Sequence, residues 1–390
     1  MTQFPRRLIS IDVFRAVTML FMIFVNDLEG ANNVPGWIDH VEANVDGLGF
    51  ADTIFPAFLF IVGLSLPFAI NNRLKKGKSF NSIASYIFLR SAALLVIGIF
   101  HVNLETFSNA TIISKPVWAL LAHVAFFLIW LDYPVEVVKL KRYLLIGTGV
   151  VVLVFLAVIY RGGKPGHVHL MRHSWWGILG IIGWAYLICA SIYLIAKGRF
   201  TVLLIALLLF LALNIFSHLN WFDIDLWVID DGSAIAQVMC GVVISVLYAQ
   251  LVQKTKTEYI WSIFTAIAVV MLIGGFIVRP YTEGISKIYS TPAWVLICSG
   301  ISILVFELMI YSVDVRGKQN WFKIIRPAGT STLTCYLVPY FQLYILKLLQ
   351  VKYPRIIDSG AGALLRSMAT AFLVIILVGY MEKRKLRLKI

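Results

Sequence analysis

The stretch WIDHVEANVDGLGFADTIFPAFLFIVG, residues 37–63, places five titratable side chains beside a segment apolar enough to enter a membrane: Asp39, His40, Glu42, Asp46 and Asp52. A neighbouring carboxylate orients an imidazole and suits it to act as a general base near neutral pH. We therefore take His40 as a candidate base and Asp52 as its candidate partner. From the residues alone, Asp52 equally suits capping the following helix, and His40 equally suits a solvated loop.

A second group of candidates lies within or at the ends of the apolar runs: Arg15, Asn26, Arg90, Asn103, His123 and Arg326. Ionisable side chains inside a membrane span are costly and mark functional sites. Arg15 follows Asp12 by three residues, so the two share a helix face and can pair. Arg90 has no acidic residue near it in sequence. Its partner must come from another helix or from an anionic ligand.

Composition predicts the scaffold that positions these residues. The chain is 60% hydrophobic and 14% charged, with a mean hydropathy of +0.85, whereas soluble domains carry about 25% charged residues. The apolar runs are roughly 20 residues long, enough to cross a bilayer as helices, and lack the alternation of barrel strands. We predict an all-α polytopic transmembrane bundle of about twelve spans, or eleven if one run does not cross. The predicted spans are 11–28, 53–71, 82–101, 116–132, 143–160, 174–196, 200–217, 233–251, 260–278, 292–311, 324–348 and 362–380.

The net charge of +14 fits a membrane rather than a nucleic acid, because the basic residues are unevenly distributed. Most of the 34 Lys and Arg residues lie in one set of alternating loops, and only eight lie in the opposite set. By the positive-inside rule, both termini, including Arg6, Arg7 and the tail MEKRKLRLKI, are predicted to be cytoplasmic. The four cysteines lie in apolar runs without CxxC spacing, so we predict neither disulfides nor a metal site.

Several stretches resemble one enzyme family. RRLISIDVFRAVTMLFMIFVN, then His40, then DGLGFADTIFPAFLFIVG resemble the heparan-α-glucosaminide N-acetyltransferases and their bacterial homologues in the transmembrane acyltransferase superfamily. FLRSAALLVIGIFHVN, GISKIYSTPAWVLICSG and VDVRGKQNWFKIIRPAGTSTLTCYLVPYF support the likeness. The resemblance covers roughly 1–130 and 233–390 and implies one domain, 1–390, with a two-span insertion at about 174–217. The sequence departs from the family pattern near His40, where two residues are inserted before Gly47 and a Trp is missing.

The resemblance implies an activity and roles for particular residues. The family moves an acetyl group from cytosolic acetyl-CoA across the membrane to the amine of a terminal glucosamine. His40 then corresponds to the proposed catalytic histidine, Asn26 to the asparagine ending the preceding span, and Asp52 to a partner of the histidine. We expect acetyl-CoA as acyl donor and an amino sugar or glycan as acceptor. The candidates for holding acetyl-CoA are Arg90, Arg326, Arg15, Asn103 and His123.

The chemistry leaves alternatives open. His40 either takes the proton of the attacking amine directly or is acetylated first and passes the group on. Asn26 is our candidate donor to the tetrahedral oxyanion. An O-acyltransferase of envelope glycans would use the same histidine, and a secondary transporter would also have about twelve spans. Against transport, we find no second copy of the first-half pattern. The sequence leaves a homodimer open.

Overall fold

Thirteen α-helices follow one another through the computed structural model, which describes residues 8–134, 136–164, 166–219, 226–254 and 258–390. Their bounds are α1 Ile9–Leu28, α2 Phe50–Lys75, α3 Phe80–Glu105, α4 Lys115–Trp130, α5 Lys139–Ile159, α6 Ile178–Ile195, α7 Phe200–His218, α8 Ser233–Gln253, α9 Tyr259–Val278, α10 Pro292–Met309, α11 Arg326–Thr330, α12 Thr332–Leu348 and α13 Gly360–Lys383. Within the described ranges, ten helices are long and apolar enough to cross a membrane. The predicted all-α membrane bundle is confirmed. Arg6 and Arg7 lie outside the described residues.

Each of the twelve predicted spans contains a helix, but the 324–348 span is broken. The backbone leaves the helical region at Ser331, with φ −127° and ψ 46°, so that α11 and α12 are separate. At this break Gly329 lies so close to α1 that an added Cβ would collide with the Asp12 carbonyl oxygen. Arg15 donates to the Gly329 carbonyl oxygen at 3.1 Å. In a continuous helix, the Gly329 carbonyl oxygen would accept an N–H of the following turn. The break leaves this oxygen available to accept from Arg15.

The helix directions define two ends of the bundle. Arg15 on α1 donates to the Ser65 hydroxyl on α2, so α1 and α2 lie antiparallel on either side of the loop 29–49. We call the end where that loop lies the His40 end. The opposite end is the terminal end, because Leu8 and Leu388 line the same cavity there. The Leu388 N–H donates to the Thr334 hydroxyl at 3.0 Å, so α12 begins at the terminal end and runs parallel to α1.

Glycines allow several helix pairs to cross with their backbones nearly touching. A Cβ at Gly63 of α2 would collide with the Val238 carbonyl oxygen of α8, and one at Gly241 of α8 would collide with the Phe60 carbonyl oxygen of α2. Gly98 of α3 lies against Gly180 of α6 in a similar way. Small residues at such crossings permit the close packing that holds membrane helices together. The α2–α8 crossing fixes the helix that begins next to His40.

We predict that Gly63→Ala destabilises the bundle, because the added methyl meets backbone that cannot move aside. Overpacking of this kind costs about 1–3 kcal/mol. Gly147→Ala on α5 is the matched control, since nothing lies within 4 Å of its added Cβ and alanine favours helix. Thermal unfolding of the detergent-purified protein should show a lower midpoint for Gly63→Ala alone. Equal midpoints for the two variants would contradict the close crossing.

Candidate functional site

Asp52 holds the His40 imidazole in place. Asp52 lies in the first turn of α2 and is 2% exposed. One carboxylate oxygen lies 2.6 Å from Nδ1 of His40. The other accepts the backbone N–H groups of Val41 and Gly49, both at 3.1 Å. Because a carboxylate only accepts, Nδ1 carries the proton in the neutral ring, and Nε2 presents the lone pair. Asp52 thus both caps α2 and orients His40.

Lys287 completes this cluster from a distant part of the chain. Its Nζ lies 3.2 Å from Nδ1 and 3.4 Å from Nε2 of His40. Burial lowers the pKa of the Lys287 ammonium, although the carboxylates of Asp52 and Glu29 act in the opposite direction. The Trp294 indole N–H, at the start of α10, donates to the Asp52 backbone oxygen at 3.1 Å. Our sequence reasoning did not place Lys287 at the site. The sequence feature that could have identified Lys287 is the stretch KIYSTPAW, in which a lysine and a tryptophan precede a span.

A second clamp joins the loop that carries His40 to the loop that carries Lys287. Asp46 accepts from Nε of Arg279 at 2.9 Å and from the Ile285 N–H at 2.7 Å. Burial alone would raise the pKa of Asp46, but these hydrogen bonds and the Arg279 charge lower it below its ordinary value. The Gly47 N–H donates to the Ile285 carbonyl oxygen at 3.1 Å. The acidic cluster seen in the sequence therefore has two tasks, orienting His40 and joining the loops.

A cavity of about 550 Å³ enters the bundle from the terminal end. Small-molecule sites have volumes of about 300–1,000 Å³. Its walls come from α1, α2, α3, α6, the α11–α12 break and the C-terminal residues. Arg15, Arg90 and Lys389 contribute positive charge to the lining, and Asp12 contributes negative charge. The predicted pair of Asp12 and Arg15 is present at 3.4 Å.

Arg90 is held in the cavity wall by neutral groups. It donates to the Tyr86 hydroxyl at 3.0 Å, and its guanidinium carbon lies 5.1 Å from the centre of the Tyr186 ring. Among the described residues, no carboxylate lies within 4.0 Å of this guanidinium, and its Nε atom is buried without a hydrogen-bond partner. A buried cation without a counter-ion is costly, so Arg90 is suited to an anionic ligand.

The cavity leads toward His40. Its deepest lining residue on α1 is Met22, which lies one helical turn, about 6 Å along the axis, before Asn26. Asn26 is exposed in the last turns of α1. Lining residue Phe58 lies six residues after Asp52 on α2, or about 9 Å along that helix. Measured along the helix axes, the cavity therefore ends about 6 Å before Asn26 and about 9 Å before Asp52.

The remaining predicted residues lie in three different places. Asn103 is 2% exposed within α3, and its amide binds the Ile99 and Arg172 backbone. His123 is 1% exposed on α4, outside the residues that line the cavity. Arg326 begins α11, and its side chain is exposed outside that lining. Arg15 and Arg90 thus both line the cavity, whereas Asn103 binds the backbone of the loop before α6 and Arg326 lies at the surface.

Comparison with known proteins connects this geometry to one family. Residues 7–171 match the family model described as heparan-alpha-glucosaminide N-acetyltransferase, catalytic. The heparan-alpha-glucosaminide N-acetyltransferase of Homo sapiens is 37% identical over 99 residues, and that of Mus musculus is 35% identical over 97 residues. Each alignment covers 25% of this chain and 14% of the relative. The family match contains His40, Asp52, Arg15 and Arg90, and it ends before α6.

Residues 7–171, less than half of the chain, are thus similar to the catalytic region of the heparan-alpha-glucosaminide N-acetyltransferases.

Proposed function

We propose that the protein transfers an acetyl group from acetyl-CoA, held in the cavity from the terminal end, to the amine of a glucosamine-type sugar at the His40 end. The observation that carries this proposal is the alignment of the two sites. The cavity enters from the terminal end and has Arg90, without a carboxylate partner, in its wall. It stops about 9 Å along α2 before Asp52, the residue that orients the His40 imidazole. Donor and acceptor then approach the same point from opposite faces of a membrane.

In the proposed reaction, the amine nitrogen attacks the thioester carbonyl carbon. A C–N bond forms, the C–S bond breaks, and CoA leaves as the thiol once the departing thiolate takes up the proton that His40 removed from the amine. His40 accepts a proton of the amine at Nε2, while Asp52 stabilises the resulting imidazolium. Asn26, one turn beyond the cavity, is the proposed donor to the oxyanion. Acetylation of His40 itself before transfer is the alternative route, and an acetyl-imidazole trapped in acid-quenched protein would identify it.

The phosphates of CoA are proposed to lie against Arg15 and Arg90. Arginine binds phosphate oxygens through paired charge-assisted hydrogen bonds. Arg15 now shares its guanidinium between Asp12, Ser65 and the Gly329 carbonyl, whereas the charge of Arg90 faces only tyrosines. Arg90 is therefore the stronger anion ligand of the two. If acetyl-CoA binds at the terminal end, that end must face the compartment that contains acetyl-CoA. We propose that this is the cytoplasmic side of a bacterial inner membrane.

The His40 end favours an amine over a hydroxyl acceptor. Asp39, Glu42 and Glu29 are exposed around His40, and a shallow groove beside them is lined by Glu283 and Tyr289. Carboxylates and an aromatic face attract a cationic amino sugar. A neutral hydroxyl can donate a hydrogen bond to such groups, but it lacks the positive charge that draws an ammonium group to them. Measuring transfer to glucosamine beside transfer to glucose under the same conditions separates N-acetylation from O-acetylation.

We expect His40→Gln to lower acetyl transfer by roughly 10²–10⁴-fold, the usual contribution of a positioned general base, with CoA binding unchanged. Transfer of radiolabel from acetyl-CoA to glucosamine in purified membranes measures the rate, and calorimetry measures binding. His167→Gln, in an exposed loop, is the matched control and should keep the wild-type rate. A His40→Gln variant with wild-type turnover would place the base elsewhere.

Arg90→Met should weaken CoA binding by roughly 10- to 100-fold, because a charge-assisted hydrogen bond to an anion contributes about 1.5–3 kcal/mol. Methionine keeps most of the apolar stem against Tyr186. Arg199→Met is the control, since Arg199 is exposed at the start of α7. Calorimetric titration with CoA is the measurement. Unchanged affinity in Arg90→Met would leave Arg90 a purely structural residue.

Lys287 provides a pH test of the buried cluster. Its lowered pKa means that the folded protein loses this proton at lower pH than the unfolded chain does. The unfolded state therefore binds more protons in the window below about 10.4, and stability must rise with pH there. The wild-type unfolding midpoint should increase relative to Lys287→Met between pH 8 and pH 10. A pH-independent difference between the two proteins would contradict the burial of Lys287 beside His40.

A further inference from the structure

Two histidines and two tyrosines form a cluster within the bundle, and of these only His123 is among the acetyl-CoA candidates predicted from the sequence. We call His101 of α3, His123 of α4, and Tyr336 and Tyr340 of α12 the His–Tyr cluster. The His101 and His123 rings lie 5.0 Å apart, and the Tyr340 ring lies 4.5 Å and 5.1 Å from them. The Tyr336 and Tyr340 hydroxyls are 3.2 Å apart. The neighbouring helices α3 and α4 and the distant helix α12 thus direct polar rings to one point inside the bundle.

The cluster contains hydrogen-bonding atoms that no described residue satisfies. His123 is 1% exposed, and its Nδ1 lies 2.7 Å from the Ala119 carbonyl oxygen. A carbonyl only accepts, so Nδ1 carries the proton and Nε2 is an acceptor. That Nε2 is buried without a partner, as are both ring nitrogens of His101. A neutral His101 offers one N–H donor and one further acceptor. Leaving such groups unpaired costs about 1–3 kcal/mol each, so their clustering indicates a site for a polar ligand.

The cluster adjoins the cavity on the side that faces the His40 end. Tyr336 is itself a lining residue of the cavity, and Tyr340 lies one turn, about 6 Å, further toward the His40 end. The Tyr336 and Tyr340 hydroxyls are in contact, and the Tyr340 ring packs against both imidazoles. A ligand that fills the cavity and extends toward His40 therefore has the His–Tyr cluster beside its path.

We propose that the His–Tyr cluster binds the secondary amides of the pantetheine arm of CoA. This inference rests on the proposed function, which makes CoA the occupant of the cavity. A secondary amide has one N–H and one carbonyl oxygen. The N–H donates to Nε2 of His123, and the carbonyl accepts from the His101 N–H or a tyrosine hydroxyl. The diphosphate then lies at Arg90, the amides at the cluster, and the thioester at the level of Asn26.

The pairing also explains why imidazole and phenol rings lie beside the path proposed for the arm. The pantetheine arm is uncharged, so cationic side chains in its path would be buried without counter-ions. Purely apolar side chains would leave its amides unpaired, which costs a similar amount for each amide. Imidazole and phenol groups supply donors and acceptors without charge. They satisfy the arm and fix its reach toward His40.

Two probes separate the arm from the nucleotide. CoA carries the pantetheine arm, and adenosine 3′,5′-bisphosphate lacks it. Titration of the full chain in detergent micelles should show His123→Leu binding CoA about 10-fold more weakly, as expected for one lost hydrogen bond that leaves a buried amide unpaired. Its affinity for adenosine 3′,5′-bisphosphate should stay at the wild-type value. His123→Gln keeps an acceptor near the Nε2 position and should recover most of the CoA affinity.

His167→Gln controls for the loss of a histidine, and Arg90→Met should weaken the binding of both probes, because each carries a 5′-phosphate. If His123→Leu does not give a monodisperse peak in size-exclusion chromatography, His101→Asn takes its place. Wild-type affinity for CoA in the variant, or equal weakening of both probes, overturns the inference while leaving the proposed function intact. A wild-type protein that binds neither probe overturns both.

Discussion

The carboxylate of Asp52 is the contact on which the arrangement of the His40 end depends. It is buried, yet it is fully used: one oxygen faces Nδ1 of His40, and the other accepts two backbone N–H groups of the same loop. A buried carboxylate is stable only when its lone pairs are satisfied in this way. The loop from α1 to α2 is therefore drawn onto the first turn of α2, and the orientation of His40 follows from the folding of that helix.

The same contact explains why a charged cluster lies at the end of an apolar helix. Trp294 donates to the backbone oxygen of Asp52, and Lys287 approaches His40 from the loop before α10. Two parallel helices, α2 and α10, thus begin at the same end and supply the two sides of the site. The opposite end holds Arg15 and Arg90 in a cavity wall. The cavity lining carries three basic residues and one acidic residue, whereas several exposed carboxylates lie around His40. Under the proposed function, this balance suits an anionic donor at one end and a cationic acceptor at the other.

Most of the helices were predictable because hydropathy is a local signal. Each predicted span contains a helix. The break at Ser331 was not predicted, because it depends on the close approach of Gly329 to α1, a tertiary contact. The same distinction applies to the candidate site. The contact of His40 with Asp52 follows from residues close in sequence, whereas Lys287 reaches His40 across 247 positions.

The candidates for holding acetyl-CoA remain predictions, and the structure shows that their side chains differ in the hydrogen bonds they already make. In the sequence, Asn103 and Arg90 are both polar residues in or near a span, where burial without a partner costs free energy. In the structure Asn103 is saturated by backbone partners and anchors the loop before α6, whereas Arg90 faces two tyrosines. Sequence shows which residues are polar but not which hydrogen bonds they already make. For a polar residue within the bundle, a donor or acceptor that has no hydrogen-bond partner is what indicates a binding site.

The most direct test of the account is an electron cryo-microscopy structure of the protein with acetyl-CoA. The account predicts density for the nucleotide beside Arg15 and Arg90, and a chain passing Tyr336 with its thioester at the level of Asn26. Nucleotide density at the His40 end, or a ligand that leaves the cavity between α1, α2 and α3 unfilled, would contradict it.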